Sequence, residues 1–351
     1  MKGPIKSPMR IGGRLLIAAL VTFLAAAPMA GARAQDSPFY KDKTIRLIIS
    51  AGVAGGYSQY ARLLASHMGD HIPGKPDFVV QSMPGAGGLL AANYLYTQAP
   101  QDGTTIGLIH STVPLAPLFG MAGARFDPLK IHWIGSMDRS DGPCTSWHTS
   151  PIKSWRDMLE KEFIVGSSGV GSQMELYPVV MNKLFGTKVK VIGGYKDGAL
   201  IFQAMEREEI HGRCGPQLTS IGALRPQWLT EKKIRVPVVV SERRTPLFPD
   251  APTLLELAKD EPTRQQIKLL IVSQDLDRPV LAPPGVPAER VKLLRDAFNA
   301  TMADEAFLAD IKKQRLTLDW VRGEDVTKTL AAAYAMPPEV VSEAKSMMVG
   351  K

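Results

Sequence analysis

Between Thr44 and Val240 the chain alternates short apolar runs rich in β-branched residues with helical stretches, and glycine-rich turns follow several of the runs. That alternation limits the fold more than any other feature, because strand, helix, strand in succession argues for an α/β architecture on mostly parallel sheets. Thr44 to Ile49 reads as a strand, Ser58 to Met68 as a helix, Phe78 to Gln81 as a strand, Leu89 to Tyr96 as a helix and Thr105 to His110 as a strand. These units form a first lobe.

A second series begins near Pro143. Its expected strands are Cys144 to His148, Phe163 to Ser167, Lys188 to Ile192 and Ile210 to Arg213. Its expected helices are Ser154 to Glu160, Gln173 to Leu184, bent or restarted at Pro178, and Ala199 to Glu206. The series ends on Ile234 to Val240, the near-continuous apolar run that a buried parallel sheet requires. Arg244-Thr245-Pro246-Leu247-Phe248-Pro249-Asp250-Ala251-Pro252 then breaks regular structure, a place for the chain to cross back. Leu269 to Ser273 reads as another strand, Pro283 to Pro287 as a turn, and Ala288 to Met302, Asp304 to Gln314 and Gly323 to Ala335 as helices. Helices that cover the first lobe make it discontinuous: 35–140 with 242–351, around a second lobe at 141–241 and two crossings that serve as a hinge. No solenoid or propeller period runs through the chain.

The N-terminus carries Lys2, Lys6, Arg10 and Arg14 ahead of an apolar run from Leu15 to Ala27, then Pro28 and the sequence Ala32-Arg33-Ala34. A basic head, a short apolar middle and an A-x-A site make a signal peptide over 1–34, cleaved after Ala34. The run is shorter than the ~20 residues a spanning helix needs. No cysteine near the site offers lipid attachment, and no Arg-Arg pair marks the twin-arginine route. Cleavage removes five basic residues and no acid, so the formal charge falls from +8 to +3 over 317 residues. Such a balance gives no electrostatic case for nucleic acid. The length exceeds a typical single core, which makes two lobes the default. Export places Cys144 and Cys214 where a disulfide persists. Whether they are bridged or stay two buried thiols is left open by the sequence.

In open α/β sheets ligands bind beyond the carboxyl ends of the strands. Three glycine turns fall there: Ala51-Gly52-Val53-Ala54-Gly55-Gly56-Tyr57-Ser58, Met83-Pro84-Gly85-Ala86-Gly87-Gly88, and Gly166-Ser167-Ser168-Gly169-Val170-Gly171-Ser172. Backbone N–H groups turned inward at a helix N-terminus suit an anion, and the Ser58 hydroxyl is expected to cap the first helix. Neither G-x-x-x-x-G-K-[ST] nor G-x-G-x-x-G is present, which disfavours nucleotides. No H-E-x-x-H, C-x-x-C or G-x-S-x-G occurs. The six histidines, His67, His71, His110, His132, His148 and His211, are scattered and show no recognisable partner. No cofactor is called for, and no ligand cluster argues for a metal.

The motifs in order resemble the extracytoplasmic receptors of tripartite tricarboxylate transporters, the Bug proteins. Ile45-Arg46-Leu47-Ile48-Ile49 with Gly55-Gly56-Tyr57-Ser58-Gln59-Tyr60-Ala61-Arg62 is similar to the family's first strand and turn. Ser82-Met83-Pro84-Gly85-Ala86-Gly87-Gly88 resembles its N-x-P-G-A-G-G, and Ala99-Pro100-Gln101-Asp102-Gly103-Thr104 its A-P-D-G-x-T. Gly169-Val170-Gly171-Ser172, Tyr195-Lys196-Asp197-Gly198, Arg244 to Thr253 and Ala282 to Pro287 continue the likeness through nearly the whole mature chain.

The resemblance implies a type II periplasmic-binding-protein fold, two lobes closing on a carboxylate held largely by backbone amides and water. It implies first-lobe contacts from Gly55, Gly56, Tyr57, Ser58, Gly85, Ala86, Gly87 and Gly88, and second-lobe contacts from Ser168, Ser172, Tyr195 and Asp197. His110-Ser111-Thr112 after the third strand is a further lining segment. Ser58 stands where the family usually has aspartate, so a negative charge is missing from the first turn, and Ser82 replaces its asparagine. Tyr57 either brackets a ligand ring or packs on its own lobe. The expectation is a monomeric periplasmic receptor that hands a small carboxylate to membrane transporter subunits and is not an enzyme. The alternatives are a sensor feeding a signalling partner, a secreted enzyme on the same scaffold, and a carrier of a metal complex.

Overall fold

The computed structural model describes residues 1, 38–139, 141–170, 172–215 and 218–348. The expected signal peptide and its cleavage site lie outside the described residues. Eleven strands among the described residues fall into two sheets. The first takes β1 (Thr44–Ile49), β2 (Asp77–Ser82), β3 (Thr105–Leu108), β4 (His132–Asp138), β10 (Asp277–Ala282) and β11 (Val321–Arg322) in the order β11-β4-β10-β3-β1-β2. The second takes β5 (Pro143–Trp147), β6 (Phe163–Gly166), β7 (Val189–Ile192), β8 (Gly212–Cys214) and β9 (Ile234–Val239) in the order β7-β6-β8-β5-β9.

Within each sheet the strand–helix–strand run pairs in parallel: β1 with β2 and with β3, and β6 with β7 and with β8. The strands on either side of a crossing run the other way. β10 is antiparallel to β3 and β4, and β5 to β8 and β9. The apolar run at β9 is therefore an antiparallel strand rather than the parallel one expected, because burial of five of its six residues sets the composition whatever the strand direction. The chain leaves the six-stranded half after β4 and returns at β10. Residues Ser37–Lys351 make one compact unit.

Local chemistry accounts for where the helices begin. Ser154 and Asp157 form a reciprocal capping box, as do Thr253 and Glu256, so two orphan N–H groups are satisfied at each start. The helix Gln173–Phe185 runs on through Pro178 and is buried along most of its length. Leu269 to Ser273, expected as a strand, is the end of the helix Glu261–Ile271 and the turn after it. A short apolar run has the same composition in a buried helix as in a buried strand. Asp260 caps that helix, and the segment Pro338–Met348 packs against it.

Cys144 and Cys214 are directly opposite each other in the β5–β8 ladder and are joined by a disulfide. This resolves the alternative left open by the sequence.

Candidate functional site

The first glycine turn touches the Lys196–Gly198 turn and the second touches the third across the seam between the two halves, and a small cavity lies at that seam. It is lined from the six-stranded half by Ala51, Gly55, Gly56, Tyr57, His110 and Arg278. From the five-stranded half come Ser168, Ser172, Gln173, Met174, Asp197, Gly198, Arg213, Ser220 and Leu224. Three helices start at its wall: Gly56–His67, Gln173–Phe185 and Gly198–Glu206. Each helix start carries partial positive charge and unspent N–H groups, so the cavity is biased toward an anion. Asp197 tempers that bias at the third helix, where its Oδ1 accepts from the N–H groups of Ala199 and Leu200.

Two backbone hydrogen bonds clasp the halves. The Gly52 N–H donates to the Lys196 carbonyl at 3.0 Å, and the Gly87 N–H donates to the Ser168 carbonyl at 3.2 Å. Such contact needs bare backbone. A Cβ on Gly52 would lie 2.4 Å from Asp197 Oδ2, and one on Gly169 would lie 2.9 Å from the Gly87 nitrogen. These glycines thus let the two halves touch main chain to main chain, a role the sequence had not given them.

Of the residues expected at the site, Gly55, Gly56, Tyr57, Ser168, Ser172 and Asp197 line the cavity. Gly85, Ala86, Gly87 and Gly88 are not among its lining residues; their turn carries the clasp to Ser168 and receives His110, whose Nδ1–H donates to the Gly87 carbonyl at 2.7 Å. Ser111 stands one layer back, where its backbone N–H donates to the Tyr57 hydroxyl and its own hydroxyl accepts from Gln173. Tyr195 packs against the apolar cluster around Phe202 and Trp228. Ser58 does not cap. The helix begins at Gly56 with Gly55 as its cap position, and the Ser58 hydroxyl, two residues inside, accepts from Arg62. Gly171 lies outside the described residues. Ser172 donates its hydroxyl to the Gly169 carbonyl at 2.7 Å and holds the third turn in shape.

Tyr57 packs within its own half. Its ring meets His110 edge-on and lies under the Arg278 guanidinium, 4.2 Å from the ring centroid, while its hydroxyl donates to Asp277. Burial pushes its pKa up, so it stays a phenol. Burial also pulls His110 down to about 4, which keeps the imidazole neutral at ordinary pH. His67 and His71, expected to lack partners, meet Asp310 and Asp304, so the end of the first helix and the turn after it are fastened to Glu305–Lys313 and its cap.

Two arginines face the cavity that sequence reasoning did not select. Arg278 Nη1 donates to both carboxylate oxygens of Asp277 at 2.7 Å, and both side chains are buried. Burial pushes Asp277 up to about 6, against the pull of Arg278. Arg278 has a φ of +68°, in the left-handed region, a costly conformation for a non-glycine residue just before a proline. A Cβ on Gly56 would come within 2.9 Å of Ser220 Oγ and 3.4 Å of Arg278 Nη2, so glycine there admits both polar groups. Arg213 comes from β8 and is 1% exposed, with its guanidinium 4.1 Å above the Phe202 ring. Its only sequence signal was a charge at the end of an apolar strand.

Comparison with known proteins agrees with this architecture. Among solved structures, the periplasmic binding protein BugD superposes with a TM-score of 0.67 at 19% identity over 88% of this chain and 98% of its own. A Rhodopseudomonas palustris protein, MatC with bound malate, gives 0.65 at 16% over 88% and 99%. Another R. palustris protein, with adipate, gives 0.65 at 19% over 86% and 97%. The fold is that of the periplasmic binding proteins. A Cupriavidus necator protein described as a UPF0065 protein in the gbd 5' region is 27% identical over 296 residues, 82% of each chain. Residues 60–333 match the Tripartite tricarboxylate transporter family receptor model, and the chain belongs to that family.

Proposed function

We propose that this chain is an exported solute receptor that traps a small carboxylate between two lobes, 35–140 with 242–351 and 141–241, and delivers it chemically unchanged to membrane subunits of a tripartite transporter. The observation that carries the reading is the small cavity at the seam, where three helix N-termini and two arginines converge. Hinge closure about the two crossings buries the ligand and creates the surface a membrane partner reads. Malate and adipate in the two R. palustris relatives support carboxylates as the class. The signal peptide over 1–34 and the disulfide both suit the periplasm, where the receptor works as a monomer.

The test is thermal melting of mature protein, unfolded and refolded to strip carried-over ligand, against aliphatic, amino and aromatic carboxylates. A ligand at ~100 times its dissociation constant adds ~2.7 kcal/mol to the folded state, a shift of several degrees. A shift without turnover is the expected result. No shift across the panel overturns the carboxylate assignment, and turnover of a bound acid overturns the receptor.

A further inference from the structure

We propose that Arg213 is the anion seat of the cavity, taking one carboxylate of the ligand side-on through the edge formed by its Nε–H and Nη2–H. The inference rests on the receptor reading and adds the residue, the half of the protein and the ligand geometry. Both atoms are buried at the cavity wall and, among the described residues, have no hydrogen-bond partner. They form the fork that matches the two oxygens of a carboxylate in a bidentate pair. No carboxylate among the described residues lies within ion-pair distance of Arg213. Burial, with Arg278 adding repulsion, works against its charge and pulls its pKa down.

A buried cation left without a counter-charge is costly, by several kcal/mol in effective terms. A purely structural arginine would carry that cost with no return. An arriving carboxylate removes it, so the unliganded cavity stores the incentive to bind. The guanidinium is held in place for this task. Its flat face rests on Phe202, Nη1 lies so close to Gly198 that a Cβ there would come within 2.8 Å, and the neighbouring Cys214 is tied to Cys144. Ser168 Oγ, also buried without a partner among the described residues and lining the same cavity, is available to a second oxygen of the ligand.

The cavity is small, about 50 Å³. At roughly 10–15 Å³ per water that is space for three to five waters, or about 90–150 Å³ of ligand at ~30 Å³ each. An acid of about four carbons fits this space.

The test compares wild type with Arg213→Gln and Arg213→Lys by calorimetric titration with acetate, succinate, malate and adipate. Arg213→Gln is expected to weaken the best-bound acid at least 100-fold. Arg213→Lys is expected to weaken it about 10-fold, because an ammonium supplies the charge without the fork. The unliganded variants are melted in parallel: an anion seat leaves their melting temperature unchanged or raises it, whereas a structural arginine lowers it. Binding to wild type with Arg213→Gln within threefold overturns the seat and leaves the receptor standing. A wild type that binds no carboxylate, neither these four nor the amino and aromatic acids of the wider panel, overturns the seat and the carboxylate assignment together.

Discussion

The two walls of the cavity treat buried charge in opposite ways. On the six-stranded side, Arg278 is matched at once by Asp277 and shares its surroundings with the Tyr57 and Tyr60 rings. On the five-stranded side, Arg213 has an aromatic face beneath it and no carboxylate beside it among the described residues. One wall is electrically complete before any ligand arrives, and the other is completed by the ligand. Under the receptor reading this division suits ligand-driven closure, since the incomplete wall gives closure a reason and the complete wall gives it a fixed frame.

The comparison breaks most visibly at the complete wall. Asp277→Ala removes the carboxylate whose two oxygens accept from the buried Arg278, leaving it the attraction of Asp138, and is expected to cost ~3–5 kcal/mol of unfolding free energy, read by denaturant titration. A loss below 1 kcal/mol would mean that Arg278 is matched by something else. The next effect concerns the frame of the incomplete wall. The Cys144–Cys214 bridge closes a sequence separation of 70 residues. Its removal in a Cys144→Ser, Cys214→Ser double variant is expected to cost about 4 kcal/mol by loop entropy, measured in the same titration. The smallest effect has the opposite sign. Arg213→Met replaces a poorly compensated charge by an apolar chain of similar length, and the unliganded protein is expected to gain about 1 kcal/mol. A net loss would show that Arg213 is already satisfied and would erase the contrast between the walls.

Much of this arrangement was legible in the sequence, and the rest was hidden for physical reasons. β1, β6 and the helix Leu89–Thr97 follow their apolar periodicity and turn residues closely. β4 was not read, because its sequence HWIGSMD interrupts apolar residues with glycine and serine that long-range packing buries all the same. β10 was missed because Asp-Arg-Pro at its start looks like a surface turn, and those are the residues that build the complete wall. The glycine turns announced a cleft by their position after strands. They could not announce Arg213 and Arg278, which stand far apart in the chain, belong to different sheets and are brought to one cavity only by the fold.

The clasp made by Gly52 and Gly87 bears on how long a captured molecule stays. Both bonds join main chain to main chain, so under the receptor reading any departing solute waits for the same two links to part. Part of the release rate is then common to all ligands, and differences in residence between acids come from the contacts each makes inside the cavity.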